Sequence, residues 1–282
     1  MGFGGGKFSR KIALQVATLS SMERESIIAQ TTQPKRAWMR AMLLINHNLE
    51  SRAFDRSDAI FVENGWLKTL LEKKYPEKVI FAPPGVNTDF FRPADSATET
   101  DYILSVGRFH DRRKNVQMLF RAYKILFEKF GEKCPRLVLA GQTAPTENDL
   151  KFAESIKITK KIDIFTSVSE NRLRELYQNA RLFVLSSNEE GFGIVVAEAM
   201  ACGLAVVATK CGGPEVLVEE GKNGFLVSIN DYARMAEKIA YLLENVEIRK
   251  QLGLNARIIA EEKFSHAATG KRFLNAYENL LI

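Results

Sequence analysis

The most ordered pattern in the chain lies between Arg181 and Ala208. A continuous apolar run, Leu182-Phe183-Val184-Leu185, leads into a polar, glycine-bearing turn from Ser186 to Gly193. An apolar helical stretch follows from Ile194 to Cys202, Gly203 stops it, and a second apolar run covers Ala205 to Ala208. Strand, loop, helix and strand in that order predict a parallel crossover unit. Neither strand has a polar face, as in a sheet covered by helices on both sides. The helix is apolar almost all round and belongs in the interior, yet it carries Glu198. A buried carboxylate left unpaired is strongly unfavourable. Glu198 therefore needs a partner, either a structural one or a ligand.

The same alternation extends on both sides of this unit. Tyr102 to Val106, Leu137 to Ala140, Ile162 to Phe165 and Gly224 to Val227 read as strands. Lys114 to about Phe130, Glu147 to Ile158, and Ser169 to Asn179 read as helices, the last with Ser169 and Arg172 at its start. A short helix ends near Val218. Strands alternating with helices predict a doubly wound, Rossmann-like parallel sheet. In such sheets ligands sit beyond the carboxyl ends of the strands. Asp231 to Leu243, Val246 to Phe264 and Ala267 to Leu281 are amphipathic, with no strand between them, and read as a helical tail.

Ahead of this lies a smaller α/β region. Lys11 to about Thr32 has Ile12, Val16, Leu19 and Met22 at helical spacing, which predicts a helix. After Pro34, a second helix is expected from Lys35 to Arg56, with Trp38, Met42, Ile45 and Leu49 on one face. His47, alone in that helix, reads as structural. Asp58 to Val62 and Val79 to Ala82 read as strands, and Asn64 as the cap of a helix running to about Lys74. Two strands make a thin sheet for a free-standing doubly wound domain. The run Pro83-Pro84-Gly85-Val86-Asn87-Thr88-Asp89-Phe90-Phe91-Arg92-Pro93 fixes an extended connection, and the polar stretch Ala94 to Thr100 marks a domain boundary. The expected division is a partial α/β domain with its linker over residues 1–93, a Rossmann-like domain over 94–264, and a C-terminal helix over 265–282 packing back toward the N-terminal part.

Composition narrows the classes. The chain has 282 residues, of which 46% are hydrophobic, enough for two cores. No apolar run reaches the length of a membrane span. The opening MGFGGGKFSRK has glycines where the apolar segment of a signal peptide belongs, so a cytoplasmic location is expected. Cys134, Cys202 and Cys211 are odd in number and lack metal-ligand spacing, which fits a reducing compartment without disulfides. A net charge of +6 suits a phosphate-bearing ligand or an anionic membrane surface, and is equally ordinary for a soluble enzyme. There is no interleaving of aromatic and basic residues of the kind that binds nucleic acid.

Three loops at strand carboxyl ends carry chemistry. The first is Gly107-Arg108-Phe109-His110-Asp111-Arg112-Arg113-Lys114-Asn115, with four cations. It is either a solvated surface loop or a pyrophosphate site, since arginine offers a bidentate fork and lysine a point charge. The second, Ser186 to Gly193, offers backbone N–H groups and a helix N-terminus to an anion. The third, Gly212-Gly213-Pro214-Glu215, allows a ligand close to the backbone. Each is common in α/β proteins; their coincidence with Glu198 is what singles them out.

Taken together, these residues resemble the retaining glycosyltransferases of family 4, which have the GT-B fold. Glu190-Gly-Phe-Gly-Ile-Val-Val-Ala-Glu198, with seven residues between its two glutamates, is similar to that family's signature. Gly107-Arg108 with Lys114-Asn115, Gly141, Glu198-Ala-Met-Ala-Cys-Gly203, Gly212-Gly-Pro-Glu215 and Gly224-Phe-Leu-Val227 match in order, and Pro84 to Pro93 resembles the family's interdomain linker. The similarity runs from about Ser57 to the C-terminus. It implies two Rossmann-like domains and a nucleoside-diphosphate sugar held by the C-terminal one. Arg108 and Lys114 would contact the donor diphosphate, and Glu198 the ribose hydroxyls. Glu190 would contact the donor sugar at the reaction centre. Backbone groups at Gly191, Phe192 and Gly193 would face sugar and phosphate, and Gly107 and Ile194 would join the donor-binding set. The backbone of Thr166-Ser167-Val168 would frame the base.

The resemblance implies transfer with retention to a glycan or lipid-linked acceptor. The sequence shows no Asp-x-Asp pair, so no metal or other cofactor is expected, and Arg108, Lys114 and the helix N-terminus would neutralise the departing diphosphate. The match is incomplete in two places. The loop from Arg108 to Lys114 is one residue longer than the family's pattern, so Arg113 could stand in the lysine's place. Family members also carry a longer N-terminal region, with a glycine-rich loop and an active-site histidine; His47, His110 and His266 do not stand in that context. A truncated or split enzyme, or a donor-binding or regulatory subunit that needs an N-terminal partner, is the alternative. A nicotinamide dehydrogenase shares the sheet type but lacks its G-x-G-x-x-G after the first strand. Lys7, Arg10, Lys11, Arg24, Lys35, Arg36 and Arg40 could approach an anionic membrane or form a solvated helix face.

Overall fold

The computed structural model describes residues 11–19, 28, 31–95 and 100–281. Contacts divide the chain into two compact units, one of Met1–Pro83 with Lys271–Ile282, the other of Pro84–Gly270. The division falls ahead of the polar stretch at Ala94 to Thr100.

The first unit holds a parallel sheet of three strands, β1 (Ala13–Val16), β2 (Ala59–Val62) and β3 (Val79–Phe81), in that order. This corrects two sequence expectations. Ala13–Val16 is a strand rather than part of a helix, and the sheet has three strands rather than two. Ile12, Val16 and Leu19 satisfy helical spacing, but four residues of Ala-Leu-Gln-Val satisfy strand alternation as well. Leu14 and Val16 pack on one side of the sheet and Ala13 on the other. What decides is the edge of β2, which takes Ala13 through Val16 in register with Ala59 through Val62. Much of the rest of that predicted helix, and Lys7, Arg10 and Arg24, lie outside the described residues.

Helix α1 (Lys35–Arg56) follows the predicted bounds, but Phe54 is its buried anchor, and Trp38, Ile45 and Leu49 are exposed. Helix α2 (Gly65–Glu72) starts where Asn64 accepts from the Leu67 N–H at 2.7 Å. Phe61 meets Phe273 at a ring separation of 4.9 Å within this unit.

The second unit carries six parallel strands: β4 (Tyr102–Arg108), β5 (Arg136–Thr143), β6 (Ile162–Thr166), β7 (Leu182–Leu185), β8 (Val206–Thr209) and β9 (Gly224–Val227). Their spatial order is β6-β5-β4-β7-β8-β9. This is the doubly wound, Rossmann-like arrangement, whose direction of winding reverses between β4 and β7. Alternation sends Leu104, Val138, Phe183 and Val206 to one face and Ile103, Leu137, Val184 and Val207 to the other. The first face is covered by α5 (Glu170–Asn179), α6 (Ile194–Ala201) and α9 (Val246–Phe264). The second is covered by α3 (Val116–Phe130) and α8 (Tyr232–Glu244). The remaining helices are α4 (Glu147–Ser155), α7 (Pro214–Leu217) and α10 (His266–Leu281).

Two features of this unit shape the site. β4 pairs with β5 as far as Arg108 and Thr143, but with β7 only at Ile103–Leu182 and Leu104–Phe183. The carboxyl ends of β4 and β7 therefore part, which is how a crevice opens at a switch point. The proline-rich segment is fastened to this unit: Val86 and Phe91 are in its core, and the Arg257 guanidinium donates to the carbonyls of Thr88, Phe91 and Ala201.

Candidate active site

The site is built from the loops after β4, β7 and β8. After β4 the chain does not enter α3 directly. It makes a 3-10 turn over Arg112–Lys114, and Asn115 then takes a left-handed conformation, φ 44°, before α3 begins. The helix predicted from Lys114 is thus broken at its first turn. Asp111 caps the 3-10 turn through the Arg113 N–H at 3.0 Å and grips the Arg113 guanidinium at 2.8 Å. Burial pushes the Asp111 carboxyl up, but donation from Arg113 outweighs it and holds the group below its ordinary value.

The four cations are thereby separated. Arg113 is held by Asp111 and lies 3.9 Å from Glu189. Arg108 is largely exposed, 4.0 Å from Asp111. Lys114 turns inward, and its Nζ lies 2.6 Å from Glu190 Oε1, with both side chains mostly buried. The structure thus brings Lys114, and not Arg113, to Glu190. The aliphatic stem of Lys114 lies along Gly107, where a β-carbon would touch it at 3.4 Å. A β-carbon on Gly141 would stand 2.1 Å from the Gly107 carbonyl oxygen, so the β5 end must be glycine for the β4 end to lie where it does.

Glu190 is fixed from several sides. Ser187 Oγ donates to the same Oε1 at 2.6 Å. The Glu190 N–H donates to the Cys211 carbonyl, and the Gly213 N–H donates to the Glu190 carbonyl, both at 2.9 Å. The β7 and β8 loops thus run side by side. That closeness explains the glycine pair: a β-carbon on Gly213 would sit 2.2 Å from the Phe192 carbonyl oxygen. Gly212 has φ 109°, which favours glycine. Glu215 Oε2 caps the turn by accepting from the N–H groups of Cys211 and Gly212.

Phe192 turns its ring to the core, 5.8 Å from Phe264, so only its backbone is offered to a ligand. Gly191 lies in the same turn; Gly193, at φ 87°, is the N-cap of α6, and Ile194, the first helical residue, is exposed. The Val196 N–H is taken by the Gly193 carbonyl at 2.8 Å, which leaves the N–H groups at the very start of α6 as donors to an anion. Val168 is half-buried against the α6 side of the core, after Ser167 at φ 52°, in the turn between β6 and α5.

Glu198, one turn further into α6, has a structural partner that the sequence left open. The Tyr177 hydroxyl donates to its Oε2 at 2.8 Å, and Oε1 accepts from no described residue. Burial raises the Glu198 carboxyl to about 7, against the lowering effect of the Tyr177 bond and with a further rise from Glu170. Burial, then the neighbouring Glu198, pushes Tyr177 well above its ordinary value, so the tyrosine stays a donor. Tyr177, Ser187 and Thr209 are the residues sequence reasoning missed. Ser187 carried a signal only in lying three residues before Glu190 in the same loop. Tyr177 lies in another helix, and no local spacing points to it. The three cysteines are free and buried, with thiols raised to about 11 at Cys134 and about 12 at Cys202 and Cys211, so they stay protonated and inert.

Comparison with known proteins bears on this geometry. The chain is 30% identical to a D-inositol 3-phosphate glycosyltransferase of Frankia alni, over 73% of this chain and 54% of that protein. A sucrose-phosphate synthase from Thermosynechococcus elongatus superposes with a TM-score of 0.79 at 23% identity, covering 98% of this chain and 69% of the other. Anabaena HepE in complex with UDP and glucose superposes with a TM-score of 0.73 at 18% identity, covering 95% and 72%. These structural neighbours have the GT-B fold. The chain spans about half the length of the curated relatives it matches. The sequence profile of the glycosyl transferases group 1 matches residues 86–258, which include the crevice, Lys114, Glu190 and Glu198, and the chain belongs to that family.

Proposed function

We propose that this chain carries the donor half of a glycosyltransferase that moves a sugar from a nucleoside-diphosphate sugar to a glycan or lipid-linked acceptor, with retention and without a metal. The observation that carries the reading is the meeting of Lys114 and Glu190 at 2.6 Å where β4 and β7 part. Glycosyl transfer builds negative charge on the departing diphosphate. Arg108, Lys114 and the N-terminus of α6 would supply positive potential there as the charge appears. Glu190 would contact the donor sugar at the reaction centre. Glu198 Oε1, with no donor among the described residues, is available to the ribose hydroxyls. The backbone at Val168 and its neighbours would frame the base. Retention corresponds to attack from the face the diphosphate leaves.

A thermal-shift screen with UDP, GDP and ADP tests the donor site. One nucleotide should raise the unfolding temperature in a concentration-dependent way, by about 3 kcal/mol of linkage at one hundred times its dissociation constant. The absence of a shift with all three would remove the reading.

The matched segments span 54% and 53% of two of the curated relatives, and a second reading stands beside the first. In it this chain binds the donor and needs an N-terminal partner to turn over. Binding without transfer by the isolated chain, with transfer restored by a partner, would select it. Contact with an anionic membrane belongs to the same acceptor side; among the described residues no helix is long and apolar enough to cross a membrane.

A further inference from the structure

Ser186 and Ser187 follow directly on β7, and their hydroxyls reach different partners. Both are buried. The Ser186 hydroxyl donates to the Lys114 carbonyl at 2.9 Å and so holds the lysine's backbone. The Ser187 hydroxyl donates to Glu190 Oε1 at 2.6 Å and so holds the glutamate's head group. Ser187 is itself fastened, because Thr209 Oγ1, at the end of β8, donates to its carbonyl at 2.5 Å. One dipeptide thus sets both members of the Lys114–Glu190 pair.

The two carboxylate oxygens of Glu190 are unequal as a result. Oε1 receives the Lys114 ammonium and the Ser187 hydroxyl, whereas Oε2 accepts from no described residue. We infer that Ser187 is a positioning residue for the sugar end of the donor: it anchors Oε1 and aims Oε2 at the transferring sugar. The anchor matters most when a diphosphate competes for Lys114. An ammonium drawn toward phosphate leaves Oε1 with the Ser187 hydroxyl alone, and a carboxylate on a flexible side chain would then lose its orientation. Thr209, through the Ser187 backbone, supports the same geometry from β8.

The inference rests on the donor-site reading above, and its consequence is confined to the sugar. Ser187→Ala removes one oxygen from a buried side chain and leaves Arg108, Lys114 and Glu198 in place. The test is the ratio of dissociation constants for a nucleotide sugar and its parent nucleoside diphosphate, measured by calorimetry on the full chain. The probe pairs are UDP-glucose with UDP, GDP-mannose with GDP, and ADP-glucose with ADP. For the pair that binds, Ser187→Ala should weaken the nucleotide sugar about tenfold relative to the diphosphate, and Ser187→Thr, which keeps a hydroxyl, should recover most of it. A merely structural role would weaken both ligands together and leave the ratio unchanged, which would overturn the inference. If Ser187→Ala does not fold, Thr209→Val, measured in the same way, should move the ratio in the same direction by less; an unchanged ratio again overturns it. If the unaltered chain binds none of the six probes, the donor-site reading fails, and this one with it.

Discussion

The Lys114 ammonium and the Glu190 carboxylate, 76 residues apart, meet at 2.6 Å with Ser187 on the same oxygen. Neither is well solvated, so each leaves the other unbalanced when removed. Lys114→Met and Glu190→Gln should each destabilise the fold, and the double variant should lose less than the sum. The expected coupling is about 0.5–3 kcal/mol. Denaturant unfolding of the four proteins measures it, and additive losses would show that the pair does not act as a unit.

Arg108 differs because its side chain is largely exposed and touches little. Arg108→Ala should leave the unfolding temperature almost unchanged while lowering the transfer rate about 10²–10³-fold, as loss of one charge-stabilising donor does. A rate near that of the unaltered protein, in a preparation active toward an acceptor, would remove Arg108 from the diphosphate site.

Glu198 makes stability depend on pH. An ordinary carboxyl, as in the unfolded chain, loses its proton near 4.5, whereas the folded chain keeps it to about 7. Between those values the folded state binds more protons than the unfolded state, so stability falls as pH rises through that window and levels off above it. Glu198→Gln should remove this decline. The variant should gain on the unaltered protein at pH 8 by on the order of 3 kcal/mol and show little advantage at pH 4. Parallel pH profiles for the two proteins would show that the raised carboxyl is not the source.

The same carboxyl predicts proton release on ligand binding. Ribose hydroxyls that donate to Glu198 favour its ionised form, so nucleoside diphosphate binding near pH 7 should expel a fraction of a proton. Calorimetry in buffers of different ionisation enthalpy reads it directly, and an enthalpy independent of buffer would count against ribose at Glu198.

Gly141→Ala tests the approach of β5 to β4. The added carbon would stand 2.1 Å from the Gly107 carbonyl oxygen, which is backbone and cannot rotate away. A cost of about 1–3 kcal/mol is expected, together with weaker nucleoside diphosphate binding, because Gly107 supports the Lys114 stem. Unchanged thermal unfolding would mean that the strand ends yield freely.

The sequence by itself determined the second unit's strands and helices almost residue by residue. Runs such as Leu182–Leu185 are apolar on both faces because both faces are covered, and a buried parallel strand needs no information from its partners to be recognised. One cap was legible for a similar reason: Asn64 accepts from the Leu67 N–H three residues on, an interaction wholly local in sequence. The loops that carry Arg108, Lys114 and Glu190, and the helix that carries Glu198, stood out together in the sequence through residue type and spacing.

Tertiary structure alone decided which of these groups touch. Four residues at Ala13–Val16 fit a helix or a strand until the edge of β2 selects one. Arg113 and Lys114 are adjacent cations, indistinguishable by charge, until Asp111 takes the first and the parting of β4 from β7 turns the second toward Glu190. Glu198 announced that it needed a partner, but the hydroxyl that answers comes from a helix on the far side of β7 in sequence. Hydrogen bonds and ion pairs act over about 3 Å, so a contact between distant segments exists only once the sheet has set their separation.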